Sequence, residues 1–273
     1  MSDNQKHPYH LVDPSPWPLV TAASLLILAY GFITFMHQDK SLIFIIGSVA
    51  LIASSIFWWR DVVSESEGGK FHNKVVQIGL RYGMILFIAS EVMFFSAWFW
   101  AFFDVAFYPG ENSQELIGRQ EALGGVFPPE DIELIPPFGI PLLNTFILLA
   151  SGGTVTWAHH ALRENDRKNF LIFLFLTILL GLIFTGFQGY EYVHATFSID
   201  EGIYPSTFYM ATGFHGAHVI IGTIFLIVCF IRGAKGHFKP EKHLGFEFAA
   251  WYWHFVDVVW LFLFTFVYWW ASF

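Results

Sequence analysis

The chain has 273 residues, with 14 Lys and Arg against 22 Asp and Glu, a formal charge of −8, and it is 55% hydrophobic, 20% aromatic and 13% charged. Soluble domains carry about a quarter charged residues, so an ordinary water-soluble globule is excluded and an integral membrane protein is expected. No basic face is available to neutralise a nucleic acid, and the single cysteine, Cys229, has no partner for an internal disulfide and sits in an apolar run as a small hydrophobe.

A helix crosses the ~30 Å hydrocarbon core in about 20 predominantly apolar residues, because its backbone polar groups must be satisfied internally. Seven stretches qualify: residues 17–36, 42–59, 79–107, 141–162, 170–193, 206–231 and 246–270. The first follows mostly polar residues without a compact basic region, and no small-residue cleavage site closes it, so it reads as a span rather than a signal peptide. Runs such as 171–183 are apolar on every face, unlike the alternating strands of a barrel. The expected fold is an all-α integral membrane protein with seven transmembrane helices. It comprises an N-terminal segment 1–16, a two-helix unit 17–59, a cytoplasmic loop 60–78 and a five-helix bundle 79–273, with a cleft between the two helical groups.

All but Lys40 and Arg119 of the 14 Lys and Arg residues fall on one side of these spans. The positive-inside rule then places the N-terminus in the cytoplasm, or the matrix of a mitochondrion, and the C-terminus outside, in the periplasm. The connection 108–140 carries Glu111, Glu115, Glu121, Glu130, Asp131 and Glu133 and reads as an acidic external loop. Trp58, Trp59, Trp251, Tyr252, Trp253, Tyr268, Trp269 and Trp270 lie toward span ends, where amphipathic rings anchor at the headgroup level.

Several ionisable residues fall at membrane depth. Glu91 sits near the middle of the third span, where an ionised carboxylate costs at least about 2.5 kcal/mol, so the neutral acid is expected at rest. It serves either proton exchange or an interhelical hydrogen bond. His215 and His218, three residues apart, share a helix face beside small residues. Two ligands on one face are an incomplete metal set, which favours interhelical hydrogen bonding. Glu191 and His194 match the Glu-x-x-His element of di-iron bundles, but the second element that chemistry needs is missing. His254 and Asp257, also at i and i+3, form a local polar pair. Asp104 and Glu247 lie near span ends and read as solvated or capping carboxylates. Arg60, Arg81 and Arg232 stand at cytoplasmic span ends, where a guanidinium either sets topology or clamps a lipid phosphate.

Longer motifs run through the chain: Trp58-Trp59-Arg60-Asp61, Leu80-Arg81-Tyr82-Gly83-Met84, Ser90-Glu91-Val92-Met93-Phe94-Phe95, Gly213-Phe214-His215-Gly216-Ala217-His218-Val219 and Ala250-Trp251-Tyr252-Trp253-His254-Phe255-Val256-Asp257-Val258-Val259-Trp260. From roughly Pro14 to the C-terminus the sequence resembles subunit III of the aa3-type cytochrome c oxidases, in the haem-copper oxidase superfamily. The resemblance implies a subunit without haem or copper of its own, in direct contact with subunit I and assembled with subunit II and other subunits, which carry haem a and copper. It implies a V-shaped cleft between two and five helices that holds phospholipids, with headgroup contacts at Trp59, Glu65, His72, Arg81 and Arg232, and a carbodiimide-reactive carboxyl at Glu91. The implied role is to sustain proton uptake and turnover stability in subunit I and to guide oxygen through lipid. The outer loop is longer than in mitochondrial members, which suggests a bacterial plasma membrane rather than a mitochondrial inner membrane. The alternatives are a free-standing metal or haem oxidoreductase liganded by His215, His218, Glu191 and His194, and a proton-coupled transporter centred on Glu91. A quinol-oxidase sibling differs only in its electron donor.

Overall fold

The computed structural model describes residues 10–68, 72–110, 125–130 and 132–273, and it contains seven helices long and apolar enough to cross a membrane. They are α1 (Trp17–Gln38), α2 (Leu42–Gly68), α3 (Lys74–Phe107), α4 (Ile140–Arg163), α5 (Arg167–Val193), α6 (Ile203–Ala234) and α7 (Leu244–Phe262). The last continues as a π-helical segment, Leu263–Trp269, and a 3₁₀ turn, Trp270–Ser272. Of the acidic connection, Glu111, Glu115, Glu121 and Asp131 lie outside the described residues, as do Lys6, Lys70 and Arg119.

The loop expected over 60–78 is mostly helix, since α2 runs on to Gly68 and α3 begins at Lys74. Apolarity marks where a helix suits lipid, whereas backbone hydrogen bonding decides where it ends; good helix formers such as Glu65 and Gln77 continue a helix beyond its apolar stretch at little cost. Elsewhere local chemistry sets the ends. Proline in the first turn opens α1 and α4, where its missing N–H is no loss. The Asp166 carboxylate caps α5, accepting from the Asn169 backbone N–H at 3.1 Å and from its side-chain Nδ2 at 2.6 Å, and these hydrogen bonds hold it below the usual carboxylate range.

The chain divides into two compact units, Met1–Tyr82 and Gly83–Phe273. In the first, α1 and α2 pack as a hairpin through small residues: the buried positions are Ser24, Gly31 and Thr34 on α1, and Gly47 and Ser54 on α2. A Cβ at Gly31 would lie 2.4 Å from the Phe44 backbone nitrogen, and one at Gly47 would lie 2.6 Å from Leu28 Cα. The two backbones touch, as small-residue stripes allow in a solvent that gives apolar side chains no reason to leave it. Most Leu, Ile and Phe side chains of both helices are exposed instead, while Leu28, Ile43, Phe44 and Leu51 are half-buried.

The second unit is built on α7. Half of its apolar window is buried inside the protein, against 11% for α3, so α7 is the core and α3 the periphery. Trp253 and Trp260 are fully buried, and their indole N–H groups donate to Ser151 Oγ and Thr145 Oγ1 on α4, each at 2.9 Å. The Trp253 ring fits against two glycines: a Cβ at Gly181 on α5 would fall 2.7 Å from its Cη2, and one at Gly222 on α6 would fall 2.9 Å from its Cε3. A single side chain thus keys α7 into α4, α5 and α6. By contrast α3 meets α6 and α7 through rings, with Phe94 and Trp98 against Phe214, Phe95 against Phe255 and Phe103 against Phe266.

Gly31→Ala is expected to force α1 and α2 apart and cost about 1–3 kcal/mol, because the atoms it meets are backbone. Gly79→Ala, with nothing within 4 Å of the added carbon, is the matched control and should leave stability unchanged or slightly raised. Unfolding in mild detergent, followed by accessibility of a cysteine reporter, measures both. Trp253→Phe should cost about 1 kcal/mol, since it loses one interhelical hydrogen bond. Trp253→Ala should cost roughly 3–5 kcal/mol in the same assay, because it leaves a cavity against three helices.

Candidate functional site

Glu91 on α3 and His218 on α6 meet at 2.9 Å between Oε2 and Nε2, with 21% and 13% of their side chains exposed. The other ring nitrogen, His218 Nδ1, lies 2.6 Å from the Phe214 carbonyl one turn earlier. A carbonyl only accepts, so Nδ1 carries a proton. In a neutral imidazole Nε2 then accepts, and the Glu91 carboxyl must donate. The alternative places the same proton on Nε2 and leaves a carboxylate. Either way the bond holds one proton and no net charge. Phe95 is edge-on to the imidazole at 4.9 Å and Tyr252 stacks parallel to it at 6.3 Å, so the pair sits in an aromatic box.

His215 faces another way. It is 1% exposed, and its Nε2 donates to the Val256 carbonyl on α7 at 3.1 Å. Two histidines three residues apart therefore tie α6 to two different helices, and they do not converge on a common point. His254 Nε2 hydrogen-bonds Thr156 Oγ1 on α4 at 3.1 Å, and its Nδ1 lies 3.6 Å from Asp257 Oδ2. The carboxylate has room because position 152 is glycine: a Cβ there would fall 2.4 Å from Oδ2. These groups line an open groove of about 700 Å³ between α4 and α7, with Leu149, Trp157 and Leu261 as its apolar walls.

Glu191 and His194 separate. The Glu191 carboxylate is buried and accepts at Oε1 from the Tyr268 hydroxyl at 2.7 Å and from Gln188 Nε2 at 3.2 Å. His194 stacks on Tyr190 at 4.0 Å and donates from Nδ1 to the Tyr190 carbonyl. Among the described residues the group of three whose ligand atoms approach a common metal position is His10, Glu65 and His72, and it includes none of His215, His218, Glu191 or His194. The ligand set of the free-standing oxidoreductase reading is thus dispersed over separate helix contacts.

The five positions matched to lipid headgroups fall in both units. In the first, Trp59 on α2 is 65% exposed. Glu65, on the last turns of α2, and His72, just before α3, come together with His10, which precedes α1. Partial burial and the neighbouring His10 imidazole hold His72 below the ordinary histidine value. Arg81 is half-buried on α3. In the second unit the Arg232 guanidinium, in the last turn of α6, lies 4.7 Å over the Phe238 ring, and Gly245 makes room for its Nη1. Arg60 is exposed, and Glu247 sits in the first turn of α7, where the helix dipole favours a carboxylate. Sequence reading missed the proton-sharing partner of Glu91, the Tyr268 and Gln188 contacts of Glu191, and the inclusion of His10 beside Glu65 and His72. All but the Gln188 contact, which is an i, i+3 pair on α5, join residues distant along the chain, and no local spacing signals those.

Comparison with known proteins gives these contacts a context. Residues 7–272 match the family model of cytochrome c oxidase subunit III. The chain is 53% identical to cytochrome c oxidase subunit 3 of Arabidopsis thaliana over 274 aligned residues, covering all of both chains. It is 52% identical to cytochrome c oxidase subunit 3 of Equus asinus over 269 residues, covering 98% of this chain and 99% of the relative. Matched from end to end by plant and mammalian relatives, this seven-helix chain belongs to the cytochrome c oxidase subunit III family.

Proposed function

We propose that the chain is the redox-inactive subunit III of a proton-pumping cytochrome c oxidase, lying directly against subunit I in a complex with subunit II, and that haem a and copper belong to those partners. Family membership over residues 7–272 is the observation that carries this reading. The membrane is the bacterial plasma membrane, or the inner mitochondrial membrane in a eukaryotic cell. Loop length does not separate the two, since the plant relative aligns over its whole length. The clustering of Lys and Arg on one side of the spans supports a cytoplasmic or matrix N-terminus.

Trp59, Glu65, His72, Arg81 and Arg232 hold phospholipid headgroups in this proposal. Arginine at a helix end presents a planar fork of donors to phosphate, and an exposed indole at a span end suits the headgroup layer. The physical role is that of a bulky helical partner whose ordered lipids fix the surface and solvation of subunit I near its proton entrance and shape oxygen's path through the bilayer. Glu91 is the carbodiimide-reactive carboxyl, and its bond to His218 sets how readily it reacts.

In the natively solubilised complex, visible spectra and metal analysis should show haem and copper, while this chain, separated from its partners but still helical by circular dichroism, should carry neither. Oxidase depleted of the chain should take up protons more slowly and inactivate sooner during turnover. Retention of stoichiometric haem or copper by the separated chain, or unchanged uptake and lifetime on depletion, would overturn the proposal. Carbodiimides attack the protonated acid, and His218→Leu removes the base that shares its proton. Labelling of Glu91 in that variant should therefore accelerate by about fivefold, the factor carried by a net hydrogen bond of about 1 kcal/mol. An unchanged rate would show that the two groups do not share a proton.

A further inference from the structure

We infer that His10, Glu65 and His72 form a binding site for a single divalent cation of the zinc class. The three residues come from separate parts of one unit: the segment before α1, the last turns of α2 and the connection to α3. One ligand atom from each lies within 4.8 Å of the others, and the two imidazole rings stand 5.3 Å apart, tilted by 47° rather than stacked. Ligands of tetrahedral zinc bond at about 2.0–2.1 Å, which places them roughly 3.4 Å apart. Gathering the three groups requires each to move by about an ångström or less, within the reach of a side-chain rotation. Two neutral imidazoles and one carboxylate are the donor set of zinc, cobalt or nickel, not of calcium or magnesium, which take oxygen ligands.

Three protein ligands leave the fourth position of a tetrahedral ion for water or a phosphate oxygen. The site thus goes beyond the headgroup role proposed for Glu65 and His72 and is compatible with it, since a bound cation attracts the phosphate that the glutamate alone repels. Its structural effect is a clip. The segment leading into α1 is tied to both ends of the connection between α2 and α3, and the unit closes into a ring that the polypeptide alone leaves open.

The test uses the whole oxidase, stripped with a chelator of readily exchanged metal and re-equilibrated with zinc alone, with bound zinc counted by mass spectrometry. Wild type should retain one equivalent more than His10→Ala, Glu65→Gln or His72→Ala, each with affinity lowered at least about tenfold. His37→Ala, an exposed histidine outside the cluster, should match wild type. Cobalt in place of zinc should give a visible absorption difference between wild type and His10→Ala, and an unchanged haem spectrum and subunit content would show that the variants assemble. Equal zinc in wild type and all three variants overturns the proposal. Loss of co-purifying phospholipid from the variants with no change in zinc assigns the cluster to a lipid headgroup and overturns it as well. Failure of the accessory-subunit reading would show instead in the haem and copper of the separated chain.

Discussion

A bilayer offers no water to a polar group, so polar side chains in its core find partners within the protein, hydroxyls such as Thr212 and Thr223 on their own helix and larger groups across helices, and the second unit is tied together by the latter. Along α7, Trp253 and Trp260 find hydroxyls on α4, His254 finds Thr156, and the Val256 carbonyl receives His215 from α6. Because those partners lie on different neighbours, pairing the polar groups of one helix also fixes the positions of the others. Apolar packing fills the remaining space, but in lipid it gives little preference for one neighbour over another. The glycines at 181 and 222 belong to the same scheme, since they admit the Trp253 ring that carries one of the bonds.

The two units use different means to the same end. In α1 and α2, small residues bring the backbones into contact and most large side chains face outward, whereas α3 is held off its neighbours by a layer of Phe and Trp rings. Across that layer Glu91 and His218 make a directional contact. Rings permit sliding with little loss of dispersion energy; a hydrogen bond between two shielded groups does not. The pair thus sets the register of α3 against α6, and its chemistry is inseparable from its structural duty.

Much of this was legible in the sequence, because hydrophobic length is a physical requirement of the solvent. The spans, their number and the all-α class follow from it, and family motifs such as Trp58-Trp59-Arg60-Asp61 carried the identity. Glu91 announces itself, since an acid at that depth needs a reason. What periodicity could not supply was partnership. His215 and His218 look like one site on a helical wheel, yet the first turns to α7 and the second to α3. Glu191 and His194 fit a metal motif by spacing, yet Tyr268, 77 residues away, claims the carboxylate. The continuation of α2 to Gly68 was hidden for another reason: helix persists where hydrophobicity stops.

The bond between Glu91 and His218 also bears on how the protein responds to an energised membrane. Moving an elementary charge across the full ~30 Å core at 100 mV involves about 2.3 kcal/mol. The shared proton travels less than the 2.9 Å between the two heavy atoms, so the same voltage biases its position by at most about 0.2 kcal/mol, well below thermal energy. The pair is electrically silent at working potentials. Its proton arrangement is governed by the aromatic box and the Phe214 carbonyl, and it stays the same whether the membrane is charged or at rest.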